Sequence, residues 1–225
     1  MLLIKFYKMK KFIFLSITLL LFFISSLAQP FIEEIREFKK QDSIHFPPKK
    51  ANLFVGSSSL RMWTNIQNDF PDYPIINRGF GGSSLPEVIL YVNDIIIPYR
   101  PKQVLIYCGD NDLAASDTVS AQTVAERFRQ LFSLIRTKLH KVPIAFISIK
   151  PSPSRQHLMP KMELANKLIK DFLHSQPKTK YIDVYSPMLT PEGKPREELF
   201  LEDKLHMNAK GYAIWQKAIE PVLKK

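Results

Sequence analysis

Four short stretches of this 225-residue chain hold the side chains best suited to covalent chemistry. Asp203-Lys204-Leu205-His206 sets a carboxylate three residues before an imidazole. Residues three apart share one side of a helical turn, so the acid can reach the ring N–H, fix its tautomer and stabilise the imidazolium formed on proton uptake. Of the 5 histidines, His206 is the one with an acid at that spacing in such a place. Ser57-Ser58-Ser59 offers hydroxyls for nucleophilic attack, though a serine cluster equally caps a helix. The stretch from Asn77 to Ser83 holds three of the 7 glycines. Glycine lets a backbone N–H approach a ligand, or simply serves a turn of positive φ. In Gly109-Asp110-Asn111-Asp112 the Asn111 amide can donate to a developing oxyanion, while Asn and Asp are also ordinary turn residues. Each stretch alone has an ordinary reading; their joint order is what points to chemistry.

That order matters only if the fold brings the stretches together. Residues 31–40 carry apolar side chains at helical spacing, and Pro47-Pro48 ends that segment. Strands are then predicted at 52–55, 75–77, 103–107, 144–149 and 181–184. Helices are predicted from residue 60 onward and at 85–97, 119–139, 159–173 and 209–223, with Asn208 capping the last. Strands alternating with helices imply a parallel sheet covered on both faces. In such sheets ligands bind beyond the carboxyl ends of the strands. All four stretches fall just after a strand or just before the closing helix.

In these blocks the chain resembles the SGNH, or GDSL-like, serine hydrolases. Gly56-Ser57-Ser58 is similar to their Gly-Asp-Ser block, with Ser57 where Asp is usual. Asn77 to Gly82 is similar to the second block, Gly109-Asp110-Asn111-Asp112 to the third, and Asp203-x-x-His206 to the last. The resemblance implies a three-layer α/β/α sandwich around a flavodoxin-like five-stranded parallel sheet. It implies an esterase with Ser58 as nucleophile, His206 as base and Asp203 as its orienting acid. The N–H groups of Ser58 and Gly82 and the Asn111 amide would form the oxyanion hole. Neither metal nor cofactor is implied, and no cluster of ligands for one is visible. The substrate would be a small-molecule or glycan ester, plausibly a short acyl group on carbohydrate. A non-catalytic glycan-binding scaffold of the same fold and an acyltransferase using the same triad are the rival readings. In the loop after the fourth predicted strand, Lys150-Pro151-Ser152-Pro153-Ser154-Arg155, the Arg155 fork is a substrate-binding candidate, equally able to bridge a surface carboxylate. Arg61 is a second candidate, and Trp63 is expected in the core.

Composition sets the outer limits. One domain fits this length. Lys5, Lys8, Lys10 and Lys11 precede an apolar run from Phe12 to Leu27, and Ser26-Leu27-Ala28 is a small-residue cleavage site. This predicts a signal peptide over residues 1–28 and a single domain over 29–225, in which residues 29–50 are an N-terminal helix and linker. Met9 is an alternative start. The apolar run is short for a spanning helix, so export to the periplasm or medium is expected, with no stable membrane association afterwards. The formal charge is +11, from 32 basic and 21 acidic residues. Removing the four signal lysines leaves 28 against 21, in scattered pairs rather than a block. A solvated surface is the expectation, and nucleic acid is not an expected partner. Cys108 is the single cysteine, so no intramolecular disulfide can form.

Overall fold

A computed structural model describes residues 30–225. The expected signal segment and its cleavage site lie outside the described residues. Five parallel strands form one sheet in the order β2-β1-β3-β4-β5. They are β1 (Asn52–Gly56), β2 (Ile75–Gly79), β3 (Gln103–Tyr107), β4 (Ile144–Ile147) and β5 (Thr179–Ile182). This is the flavodoxin-like order, with the switch point between β1 and β3. The central strands are buried along their whole length. Their near-continuous apolar sequences suit a sheet packed on both faces.

The helices are α1 (Ile32–Ile44), α2 (Ser58–Arg61), α3 (Ile66–Asp69), α4 (Leu85–Leu90), α5 (Val92–Ile95), α6 (Asp110–Ala115), α7 (Ala121–Lys138), α8 (Met159–His174) and α9 (Ala209–Ile219). A core of Phe54, Trp63, Phe70, Tyr107 and Trp215 joins the sheet to α9. Trp63, 2% exposed, belongs to that core as expected. Phe128, Phe132, Phe146 and Phe172 pack edge to face between the sheet and the α7–α8 pair. Asn208 caps α9, its side chain accepting from the N–H groups of Lys210 and Gly211. Among the described residues, no helix is long and apolar enough to cross a membrane.

Several elements depart from the sequence expectation, β4 among them, which ends at Ile147 and not at 149. The helix after β1 stops at Arg61, giving way to a turn that buries Trp63. The expected 85–97 helix breaks at Tyr91 and closes as a 3₁₀ turn over Ile97–Tyr99, where Pro98 has no N–H to donate. The fifth strand lies two residues earlier. Asp183 Oδ1 accepts from the N–H groups of Tyr185 and Ser186 and turns the chain there. Asp110–Ala115, expected as a loop, forms the short helix α6.

Candidate active site

The four stretches meet at the carboxyl edge of the sheet. After β1 the chain turns sharply into α2. A Cβ on Gly56, whose φ is 141, would lie 1.7 Å from the carbonyl oxygen of Tyr107. Only glycine fits there, and the close approach lets the Ser57 N–H bond that same oxygen at 3.1 Å. Ser58 then opens α2 beside the loop that precedes α9. Ser57 and Ser59 are buried, whereas Ser58 is partly open. That separates the three adjacent hydroxyls.

His206 Nε2 stands 3.0 Å from Ser58 Oγ, and its Nδ1 stands 2.5 Å from Asp203 Oδ2. The other Asp203 oxygen accepts from the N–H groups of Leu205 and His206, each at 2.9 Å. Burial opposes ionisation of Asp203. The hydrogen bonds from the His206 ring, the His206 N–H and the Leu205 N–H outweigh it and hold the pKa down to about 2. The carboxylate therefore stays ionised across the working pH range. A rate that falls on mild acidification would report proton uptake elsewhere. A ring bound to a carboxylate on one nitrogen and a hydroxyl on the other can take the hydroxyl proton during attack.

Donors for a developing anion lie close by. Gly82, with φ of 75, sits in the loop after β2. Ser83 anchors that loop, its hydroxyl donating to the carbonyls of Gly56 and Phe80. Asn111, on α6, donates from Nδ2 to the Ser83 carbonyl at 2.9 Å and accepts at Oδ1 from Arg155 at 2.9 Å. An amide nitrogen has two hydrogens, so Nδ2 keeps one beyond the bond to Ser83. Among the described residues, the N–H groups of Ser58 and Gly82 have no acceptor. The structure thus brings Ser58, His206 and Asp203 into one hydrogen-bonded chain and sets Asn111 beside the loop that carries Gly82.

The two arginines differ. Arg155 Nη1 lies 3.1 Å from Asp110 Oδ2, and its Nη2 is spent on Asn111, leaving the side chain 17% exposed. Arg61 is exposed and has no acceptor among the described residues. Its guanidinium lies over Gly81, where an added Cβ would come 2.9 Å from Cζ.

Three contributors were not singled out from the sequence. Asp110 holds Arg155. Asp112, fully buried, accepts from the Leu85 N–H and from Arg127, tying α6 to α4 and α7. Lys150, also buried, donates to the Leu205 carbonyl at 2.9 Å. A lysine closing the apolar run Ile147-Ser148-Ile149 was the one signal for the last.

Comparison with known proteins shows the family and the fold. Residues 53–214 match the model of the GDSL-like lipase/acylhydrolase family. None of the curated proteins matches the sequence. Among solved structures, a GDSL-like lipase of Bacteroides thetaiotaomicron superposes with a TM-score of 0.70 at 19% identity, covering 84% of this chain and 96% of its own. A lipase/acylhydrolase of Enterococcus faecalis gives 0.60 at 18% identity over 77% and 97%. An acetylxylan esterase of Geobacillus stearothermophilus, in a catalytic mutant form, gives 0.58 at 13% identity over 77% and 94%.

Proposed function

The chain belongs to the GDSL-like lipase/acylhydrolase family and is an ester hydrolase; we propose that it removes short acyl groups, acetyl above all, from carbohydrate or other small polar substrates through an acyl-enzyme on Ser58. One observation carries the mechanism: the His206 ring bridges Ser58 Oγ and Asp203 Oδ2. As Ser58 Oγ attacks the ester carbonyl, its proton passes to His206 Nε2. The tetrahedral oxyanion accepts from the N–H groups of Ser58 and Gly82 and from Asn111 Nδ2. His206 then gives the proton to the departing alcohol, leaving the acyl group on Ser58. Water, deprotonated by the same ring, releases the acid and restores the serine.

The substrate reading draws support from two sources. The acetylxylan esterase neighbour shares the fold, and Arg61 is a cation with no acceptor among the described residues, beside the proposed oxyanion loop. Arg61 would contact a hydroxyl or acidic group of the substrate. The four basic residues and apolar run at the start of the chain support export, with removal of the segment before Gln29.

The test is a substrate series. Purified protein is assayed on p-nitrophenyl esters of increasing chain length, then on acetylated oligosaccharides with added sugar acceptors. The expected result is a preference for acetyl over long chains and release of free acetate. A preference for long acyl chains would overturn the short-acyl reading, and acyl transfer to the sugars in place of water would make the protein a transferase. Intact-mass measurement of the exported protein checks the mature start at Gln29. A product retaining residues 12–27 would contradict it.

A further inference from the structure

Ser58, Asn111 and His206 reach the site from three separate segments, and something must fix the distance between the last two. The loop after β4 touches both. Towards α6, Arg155 donates from Nη2 to Asn111 Oδ1 at 2.9 Å while Nη1 pairs with Asp110 at 3.1 Å. Towards the base, Lys150 Nζ donates to the Leu205 carbonyl at 2.9 Å, and the Ser154 N–H donates to the Lys204 carbonyl at 3.1 Å. Lys204 and Leu205 are the two residues between Asp203 and His206.

The bond from Arg155 decides which way the Asn111 amide faces. With Oδ1 on a guanidinium and Nδ2 on the Ser83 carbonyl, both poles are matched. The flipped amide would set NH₂ against guanidinium and oxygen against oxygen. A cation on Oδ1 also polarises the amide, which strengthens the remaining Nδ2–H as a donor. Asp110 holds the arginine in that pose.

Lys150 is the less expected part. It is 1% exposed, faces the Phe200 ring at 5.6 Å, and has no carboxylate within ion-pair distance among the described residues. Burial pushes its pKa down to about 8, with Asp110 and Asp203 favouring the charge and Arg155 opposing it. A buried ammonium without a paired carboxylate is costly, and an apolar side chain of similar length would fill the space at less cost. Stability therefore does not account for a lysine here; its bond to the base loop does.

We infer that the loop after β4 is a brace, in which Arg155 aims the Asn111 amide and Lys150 holds the backbone of the His206 loop, so that oxyanion donor and base keep one separation. Both are positioning residues, and neither contacts the substrate. The inference rests on the proposed roles of Asn111 and His206.

The test is steady-state kinetics on p-nitrophenyl acetate with Arg155→Met, Lys150→Met, Asn111→Ala and the Arg155→Met/Asn111→Ala pair, with Ser58→Ala as control. Arg155→Met should lower kcat by about 10- to 100-fold with KM nearly unchanged, because it misaims one donor and leaves substrate binding intact. Lys150→Met should lower kcat in the same way. In the Asn111→Ala background, Arg155→Met should cost nothing further, since its target is gone. A raised KM with unchanged kcat would make Arg155 a substrate contact and overturn the brace. So would an undiminished cost in the Asn111→Ala background. If Arg155→Met fails to fold, Arg155→Lys, which keeps the charge but not the fork, should give a partial kcat loss; full kcat would overturn the inference. Turnover retained by Ser58→Ala would refute the underlying mechanism. An inactive Ser58→Ala with unaffected Arg155→Met and Lys150→Met would refute the brace alone.

Discussion

The two sides of the site are made rigid by different means. On the β1–β2 side, close-packed backbone and one short hydroxyl do the work: Gly56 lies against the carbonyl of Tyr107 in β3, the Ser83 hydroxyl bonds back to the Gly56 and Phe80 carbonyls, and Ser58 follows from the turn. On the β3–β4 side, charged side chains do it: Asp110 and Arg155 hold Asn111, and Lys150 holds the base loop. A side built from closely packed backbone tolerates no added atom, because nothing can move aside. A side built from side chains can lose one and still fold, with its geometry loosened. Substitutions on the first side should therefore act on the fold, and those on the second on the rate. The reacting groups themselves are the exception on either side.

That exception carries the largest expected effect. Ser58→Ala and His206→Ala should each lower turnover by roughly 10⁴-fold or more while leaving thermal unfolding unchanged, because the pair acts as a unit. Ser57→Ala and Ser59→Ala, compared in the same assay, should be much milder. Next comes the backbone side. Gly56→Ala should cost about 4 kcal/mol or more, most of the stability of a marginal domain, and is checked by soluble yield and circular dichroism. A folded, active Gly56→Ala protein would erase the contrast between the two sides. On the opposite side, Asn111→Ala should fold normally and lose about 10²- to 10³-fold in kcat. If it unfolds instead, the charged side is as brittle as the glycine side.

The smallest effect is a pH dependence of stability. Lys150 has its pKa depressed to about 8 by burial from an ordinary value of 10.5. Between these values the unfolded chain binds the proton and the folded chain does not, so this group adds stability as pH rises. Relative to Lys150→Met, the wild type should gain roughly 2 kcal/mol from pH 7 to 9.5, at 1.36 kcal/mol per pK unit. Urea unfolding of both proteins at the two pH values measures it. Parallel curves would mean that the ammonium is well solvated.

How much of this was legible beforehand follows from the same physics. The placement of the strands, the serine cluster at a strand-to-helix turn and the Asp203/His206 pair follow from local patterns: buried apolar runs, and an acid three residues before a histidine; the strand order and the choice of Ser58 among its neighbours came from the family resemblance. The bounds of β5 were not legible because Asp183 ends that strand through a side chain to backbone turn that hydropathy does not register. Helix α6 was hidden because Asp110, Asn111 and Asp112 have the composition of a turn. The part played by Arg155 depends on Asn111, 44 residues away, and that of Lys150 on Leu205, 55 away. Residue type suggested a free fork of donors at Arg155; only the fold shows that fork already engaged.

In the proposed mechanism Ser58 is the group acylated in turnover. Treating the protein with a fluorophosphonate and mapping the modified peptide by mass spectrometry tests it directly, since all three neighbouring serines fall in one fragment that can be sequenced. Stoichiometric label is expected on Ser58 Oγ, abolished in His206→Ala. Label on Ser57 or Ser59, or undiminished labelling without His206, would contradict it.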